Sequence, residues 1–385
     1  MIKITDPSKC CGCSACVNAC PVHCIVMNCD REGFDYPMAN PDLCIQCGRC
    51  DAVCPMQKEA CSVELSQAYA VRFEEYVGSS SSGGVFPALA GKMLEDGGHV
   101  FGAVMESDMK VGHAEATCMD ELESMRGSKY VQSDLYSVFE EIKDILQDGG
   151  KVIFTGTPCQ VAGLNNYIGS PKEGLLTVDF ACHGVPSPGL WKKYVKALED
   201  RAGKRIVGVD FRDKSRSWRH YDLRLDYVDG TSEYIRREND PYLSLFMQGL
   251  TLRPSCYDCR FKCGGSASDV TLSDLWNVAK VAPQLNDDKG VSGVFVNTEK
   301  GAGALETLSP AVMLKVDTTS ARQENGGFAA SKLMPDGREE FFIGAHLTTD
   351  LMRHMKGYVV KMPIYICIYR GFRALLSRIK RTMLR

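Results

Sequence analysis

The feature that most constrains this chain is a doubled cysteine motif near its start. Cys10, Cys13, Cys16 and Cys20 precede Pro21, and Cys44, Cys47, Cys50 and Cys54 precede Pro55. Each run reads C-x2-C-x2-C-x3-C-P, and their first cysteines lie 34 residues apart. Three cysteines at this spacing wrap one cubane iron–sulfur cluster on a tight loop. The fourth, set apart before proline, reaches the other cluster. The spacing therefore assigns Cys10, Cys13, Cys16 and Cys54 to one 4Fe-4S cluster, and Cys44, Cys47, Cys50 and Cys20 to a second. A pair of zinc sites is the rival reading, but zinc uses C-x2-C pairs well apart. Gly12 and Gly48 suit loops whose N–H groups must approach sulfide. Cys11, Cys24, Cys29 and Cys61 fall outside the count and are expected to be buried as small apolar residues. The repeat places the first domain at residues 1–62.

Composition supports reduced, metal-binding thiols. The chain has 19 cysteines among 385 residues. Its apolar runs fall short of the ~20 residues that cross a bilayer, and MIKITDPSKC has no signal-peptide core. The expected setting is the cytoplasm, where disulfides are rare. The length exceeds one ordinary core, so two or more domains are expected. Charge is divided unevenly. Residues 351–385 carry nine Lys or Arg and no Asp or Glu, which leaves 36 basic against 48 acidic residues in the first 350.

After Gln67 the pattern changes to alternating strands and helices. QAYAVRF, HVFGAVM, KVIFTG and LLTVDF read as strands. VFPALAGKMLEDGG, 134–147, 159–168 and 188–201 read as helices. RIVGVDFR, a hairpin turning at Asp229-Gly230, and SDVTLSDL are further strands. The stretch 316–335 is polar and reads as irregular. The fold class expected is α/β with α+β elements, carrying a mainly parallel or mixed sheet. The expected second domain is 67–335. A helical basic tail is expected over 336–385, and within it 370–385 is an amphipathic helix with Phe372, Leu375, Leu376, Ile379 and Met383 on one face. That pattern suits peripheral contact with the inner face of an anionic membrane, or docking on the acidic body. The tail has no recognition motif for nucleic acid.

A third metal constellation is suggested by Cys159 in TGTPCQ, Cys182 in ACHGVP and the pair Cys256, Cys259 in RPSCYDCRFKC. Loops after neighbouring strands of an α/β sheet share one edge, so the first two can converge. Spacing alone leaves ordinary buried thiols beside an isolated C-x2-C open as the alternative.

Two resemblances carry the reading further. The first 55 residues or so resemble the bacterial two-cluster ferredoxins. SSSGGVFPALA, GSKYVQSD, TGTPCQVAGL, VDFACHGVPSP and RPSCYDCRFKC…SDVTLSDLW, in this order over about residues 67–300, look like the coenzyme F-420 hydrogenase/dehydrogenase beta-subunit family. That resemblance implies a catalytic domain binding FAD and its own 4Fe-4S cluster on Cys159, Cys182, Cys256 and Cys259. Cys263 leaves the choice of ligand within RPSCYDCRFKC open.

No G-x-G-x-x-G is present. The flavin reading rests on Gly78–Gly84, a glycine–serine loop running into a helix, where free N–H groups attract phosphate. Ser81, Ser82, Gly83, Gly84, Lys129 and Tyr130 are expected FAD contacts. Thr157, Gln160 and Asp269 lie in matching motifs, as does Asp274. The bland alternatives are a capped surface loop and a solvated lysine. His183 is a candidate proton donor, or a hydrogen-bond donor to cluster sulfur. His220, in a basic-aromatic stretch, is either part of an anion pocket or an exposed turn.

The function expected is an iron–sulfur flavoprotein oxidoreductase. Single electrons, from a partner such as reduced ferredoxin, would pass through 4Fe-4S clusters to FAD for two-electron chemistry on an organic substrate. The resemblance adds a link to surface-polysaccharide synthesis. A coenzyme F-420 oxidoreductase and a non-enzymatic electron-transfer subunit of a larger complex are the alternatives.

Overall fold

The computed structural model describes residues 1–58, 67–170, 172–262, 264–310, 312–323 and 325–360. Cys61, Cys263 and the expected amphipathic helix over 370–385 lie outside the described residues.

The first 58 residues are held by a strand pair, β1 (Ile25–Cys29) against β2 (Asp35–Ala39), antiparallel from Ile25↔Ala39 to Cys29↔Asp35. Two single-turn helices, Ala15–Asn18 and Arg49–Ala52, each carry the third cysteine of a run. Each starts after a residue with positive φ, Ser14 or Gly48.

The larger body is built on an eight-stranded mixed sheet, matching the expected class. Its strands are β3 (Gln67–Arg72), β4 (His99–Met105), β5 (Val111–Ala116), β6 (Val152–Thr155), β7 (Leu175–Phe180), β11 (Val270–Asp274), β12 (Ser292–Val296) and β13 (Val312–Val316). Their order across the sheet is β13-β3-β12-β11-β7-β6-β4-β5. β4, β6, β7 and β11 run parallel, and β5, β12 and β13 are antiparallel to their neighbours. Alternation sends side chains to two cores. Val100, Ile153 and Val178 pack with Val85 and Leu89 of helix Val85–Glu95. Phe101, Val152 and Phe154 pack with Phe139 and Leu164 of helices Val138–Gln147 and Pro158–Ile168.

The hairpin at Asp229-Gly230 does not join this sheet. It forms β9 (Asp222–Tyr227) and β10 (Ser232–Arg236), which extend β8 (Ile206–Asp213) into a separate three-stranded sheet. Its inner residues Phe211, Leu223 and Leu225 share a core with Trp191, Tyr194, Tyr242 and Phe34. Phe34 belongs to the cysteine-rich module, so the two parts are packed together rather than tethered.

The described part of the expected helical tail, 336–360, is helical and packs on the body of the protein. Helices Arg338–Leu347 and Leu351–Tyr358 bury Phe341, Phe342, Ala345 and Met355 in that same core. The polar 316–335 stretch holds two short helices, Thr318–Arg322 and Gly326–Ala329. Among the described residues no helix is long and apolar enough to cross a membrane.

Candidate metal centres and cofactor site

The two cysteine runs form two cavities with their fourth cysteines exchanged. Cys10, Cys13, Cys16 and Cys54 line one, with Cys11 beside them. Cys44, Cys47, Cys50 and Cys20 line the other, with Cys24 beside them. The exchange arises because each fourth cysteine follows the single-turn helix, which carries it across to the neighbouring run. Five cysteines and no carboxylate or histidine line each cavity, which suits an iron–sulfur cluster. All four cysteines of the first cavity are buried, whereas Cys47 in the second is exposed and Cys44 half-exposed. Against the cost of burial, N–H groups of Cys24 and Val22 pull the Cys20 thiol down. The Cys24 thiol lies 3.4 Å from that of Cys20. Cys11 and Cys24 are buried as expected, while Cys29 is exposed.

The third constellation also converges. Cys159, Cys182, Cys256 and Cys259 line a single cavity at the ends of β6 and β7. Cys159 opens helix Pro158–Ile168, directly after β6, and Cys182 follows β7. Cys256 and Cys259 come from a 3-10 turn over Pro254–Asp258 and its end. Burial pushes the Cys182 thiol well up and the Cys256 thiol up to about 12. Such thiols stay protonated unless a cation replaces the proton, which is what metal ligation does. Lys262 supplies a nearby charge and hydrogen-bonds the carbonyls of Cys182 and Gly327.

Cys11, which spacing left without a role, lines both the first and the third cavity. Its thiol beside Cys159, together with burial, drives the Cys159 thiol well above its usual range. The two cavities are therefore adjacent. A sequence signal existed in the doublet Cys10-Cys11, but nothing in the spacing said what the second thiol would face.

Several buried contacts fix this seam. Gln132 Nε2 donates to the carbonyls of Cys11 and Gly12, at 3.2 and 3.4 Å. Asn18 Nδ2 donates to the Tyr136 carbonyl at 3.0 Å. Arg338 grips Glu32 with two bonds, of 2.9 and 2.6 Å, and Arg253 reaches Cys10.

The expected FAD residues divide into two groups. The glycine–serine loop does start a helix, and it is enclosed by cations. Ser81 accepts from Ser128 at 2.9 Å, and Ser82 donates to the Val291 carbonyl at 2.9 Å. Arg126 bonds Ser79, and Lys214 donates to the Ser82 carbonyl at 3.3 Å. Gly83 is pressed so close to β3 that a Cβ would lie 2.3 Å from the Val71 carbonyl oxygen. The Ser80 hydroxyl and Arg126 Nε are buried without a partner among the described residues. Arg126 also pairs with Glu123 and Lys214 with the carbonyls of Val77 and Lys289, so the donors open to an anionic group are the Ser80 hydroxyl and Arg126 Nε. Lys129 instead donates to the carbonyls of Ser124 and Arg126, and burial lowers its amine to about 7. Tyr130 packs on Phe211 and Phe246.

The second group is occupied structurally. Thr157 and Gln160 form the capping box of the helix that carries Cys159, and Thr157 Oγ1 sits 3.2 Å from Cys159 Sγ. Asp269 accepts from Thr177 and Thr298, each at 2.8 Å, and pairs with Lys300 at 3.1 Å. Asp274 pairs with Arg212 at 2.6 Å. These four residues brace the scaffold through the bonds they make.

Of the two histidines, the structure places His183 beside the third cavity's cysteines and His220 on an exposed turn. His183 Nε2 lies 3.1 Å from the Phe246 carbonyl, and burial beside Lys332 and Lys262 lowers its pKa to about 4. His220 is exposed, and its neighbours are committed: Arg216 pairs with Asp222 and Arg219 with Asp288.

With this geometry in place, comparison with known proteins is informative. Residues 149–322 match the family described as the C terminus of the coenzyme F420 hydrogenase/dehydrogenase beta subunit, and residues 9–58 match the 4Fe-4S dicluster domain. Over 53 residues, 14% of this chain, it is 47% identical to Ferredoxin 7Fe of Hydrogenibacillus schlegelii and 40% identical to Ferredoxin-1 of Caulobacter vibrioides. The aligned stretch spans 62% and 42% of those ferredoxins' own lengths. A chain of the F420-reducing [NiFe] hydrogenase complex from Methanosarcina barkeri is similar at a TM-score of 0.44 and 17% identity, covering 65% of this chain and 80% of that one.

Proposed function

We propose, for a chain that joins a 4Fe-4S dicluster domain to a coenzyme F-420 hydrogenase/dehydrogenase beta-subunit domain, that it is a flavin-dependent iron–sulfur oxidoreductase in which three cysteine cavities stand in series. The observation that carries this reading is Cys11, which lines both the first and the third cavity. When bound, 4Fe-4S clusters supply one-electron storage at each cavity, and a flavin supplies exchange between single electrons and pairs.

The chain's own residues do the positioning. Cys20, Cys44, Cys47 and Cys50 hold the outermost site, where Cys47 and the apolar Val22 and Ile45 are exposed to a partner. Cys10, Cys13, Cys16 and Cys54 hold a buried site behind it. Cys159, Cys182, Cys256 and Cys259 hold the innermost, on the sheet edge of the larger domain. An exposed site for a one-electron carrier, followed by a buried site and then by a third with half-buried cysteines, is an order that carries electrons from a partner toward the sheet edge. The flavin's anionic end suits the loop from Ser81 to Gly84, with Arg126 and Lys214 as cations. That assignment sets aside Thr157, Gln160 and Asp269, whose hydrogen bonds are already made.

The test is the substitution Cys182→Ser in anaerobically purified protein. The account expects a loss of about four irons per chain, with the spectrum of the two N-terminal sites retained. Unchanged iron content, with Cys256→Ser equally silent, would reduce the protein to a two-site carrier.

A further inference from the structure

Arg253 is among the most deeply buried large side chains of the protein, 1% exposed. Its guanidinium does not meet a carboxylate. Nε donates to the Cys10 carbonyl at 2.7 Å, Nη1 to Gln132 Oε1 at 3.0 Å, and Nη2 to the Asp35 carbonyl at 2.9 Å. Nη2 also lies 3.5 Å from Cys10 Sγ. Its ring neighbours are Tyr36, 4.2 Å from the guanidinium carbon to the ring centre, and Phe34. Among the described residues no ion pair involves it. The backbone of Arg253 is tied to the third cavity: its N–H donates to the Val185 carbonyl, and its carbonyl accepts from the Cys256 N–H, each at 2.9 Å.

A buried cation without a counter-ion is costly, because carbonyl oxygens replace only part of its hydration. The nearest source of negative charge is sulfur, at Cys10 Sγ; the Asp35 carboxylate also feels the guanidinium but lies beyond ion-pair distance. The thiols that act on Arg253 are Cys10, Cys11 and Cys256, drawn from both sides of the seam. Four thiolates around a cluster leave a net negative charge that grows by one with each electron taken up. A fixed cation stabilises the reduced state more than the oxidised one, and so raises the reduction potential.

We infer that Arg253 is the built-in counter-ion of the site formed by Cys10, Cys13, Cys16 and Cys54, raising its potential relative to the outer site so that electrons are drawn inward from that outer site. This inference rests on the three-site reading above. Arg253 is a positioning residue whose effect is electrostatic. Its rival is a purely mechanical strut holding the two loops together. The second cavity is a partial control, since no buried guanidinium reaches its cysteines and the cation beside it is the half-exposed N-terminal ammonium of Met1.

The experiment is a potentiometric titration, followed by electron paramagnetic resonance, on the full-length protein purified anaerobically. Variants are Arg253→Gln and Arg253→Lys, with signals assigned in a Cys47→Ser background that perturbs only the outer site. Iron content of the unsubstituted protein is measured first; fewer than three clusters there refutes the three-site reading, independently of Arg253. With three clusters present, Arg253→Gln is expected to weaken the reduced inner ferredoxin site at least tenfold, equivalent to about 59 mV for one electron, with the outer site unmoved. Arg253→Lys keeps the charge and is expected to recover most of that shift. Potentials unchanged in Arg253→Gln with full iron content would overturn the inference. If Arg253→Gln fails to retain the cluster, Arg253→Lys decides. Retention with a potential near that of the unsubstituted protein supports a counter-ion, and loss in both variants assigns a strut.

Discussion

Gly12 and Gly48 occupy equivalent places in the two cysteine runs and share a φ of +71°, yet their surroundings differ completely. A Cβ on Gly48 would meet nothing within 4 Å. A Cβ on Gly12 would sit 2.4 Å from Gln132 Nε2 and 2.8 Å from Arg253 Nη1. Gly48→Ala should therefore cost only the left-handed backbone penalty, about 1 kcal/mol. Gly12→Ala bears the same penalty and must also displace both side chains. That breaks the Gln132 bonds to Cys11 and Gly12 and the Arg253 bond to Gln132. At about 1 kcal/mol each, the excess is about 3 kcal/mol, or roughly a 100-fold increase in opening of the seam. Hydrogen exchange of peptides covering 8–16 and 130–134, read against those covering 44–52, measures it. Equal effects from the two substitutions would refute the claim that the first loop is clamped against the larger domain.

Glu32→Ala strands the buried Arg338, and breaking such a pair costs about 3 kcal/mol; exchange should quicken in 30–36 and 338–347, and a smaller effect in an Arg338→Met background would identify the pair as the cause. Cys54→Ala should remove the same cluster signal as Cys10→Ala and spare the one lost in Cys44→Ala, because the fourth cysteines are exchanged; spectra grouped by sequence run would contradict this. His113 is buried and stacked on Phe154, with its pKa lowered to about 4 by burial. The unfolded chain takes up that proton near pH 6.5, so stability falls as pH drops through that window, by about 1 kcal/mol down to about pH 5.5. Thermal unfolding of His113→Asn should show that pH dependence flattened, and an unaltered slope would count against a neutral buried imidazole.

Much of the architecture could be read from the chain because its signals are local. The cysteine repeat and the apolar alternation of β3, β4, β6 and β7 each act over a few residues. β12 and β13 escape that reading; both pair with β3, more than 200 residues away, and β12 is paired with β11 as well. The convergence of Cys159 with Cys182 follows from neighbouring parallel strands, whereas the approach of Cys11 to Cys159 depends on how two domains dock. Arg253 is invisible for the same reason: in sequence it is one more basic residue beside RPSC. Asp269 and Gln160 look like ligand contacts because polar residues in shared motifs carry no label separating a brace from a binding group. The final helices read as a tail because their charged faces outnumber the few apolar residues, Phe341, Phe342 and Met355, that lock them down.

The central claim is that three cysteine cavities feed a flavin on one rigid body. The most direct measurement is the iron, sulfide and flavin content of the full-length protein purified without oxygen. The account predicts about twelve irons, a matching amount of sulfide and one flavin per chain. About eight irons with no flavin would contradict it and leave a two-cluster electron carrier.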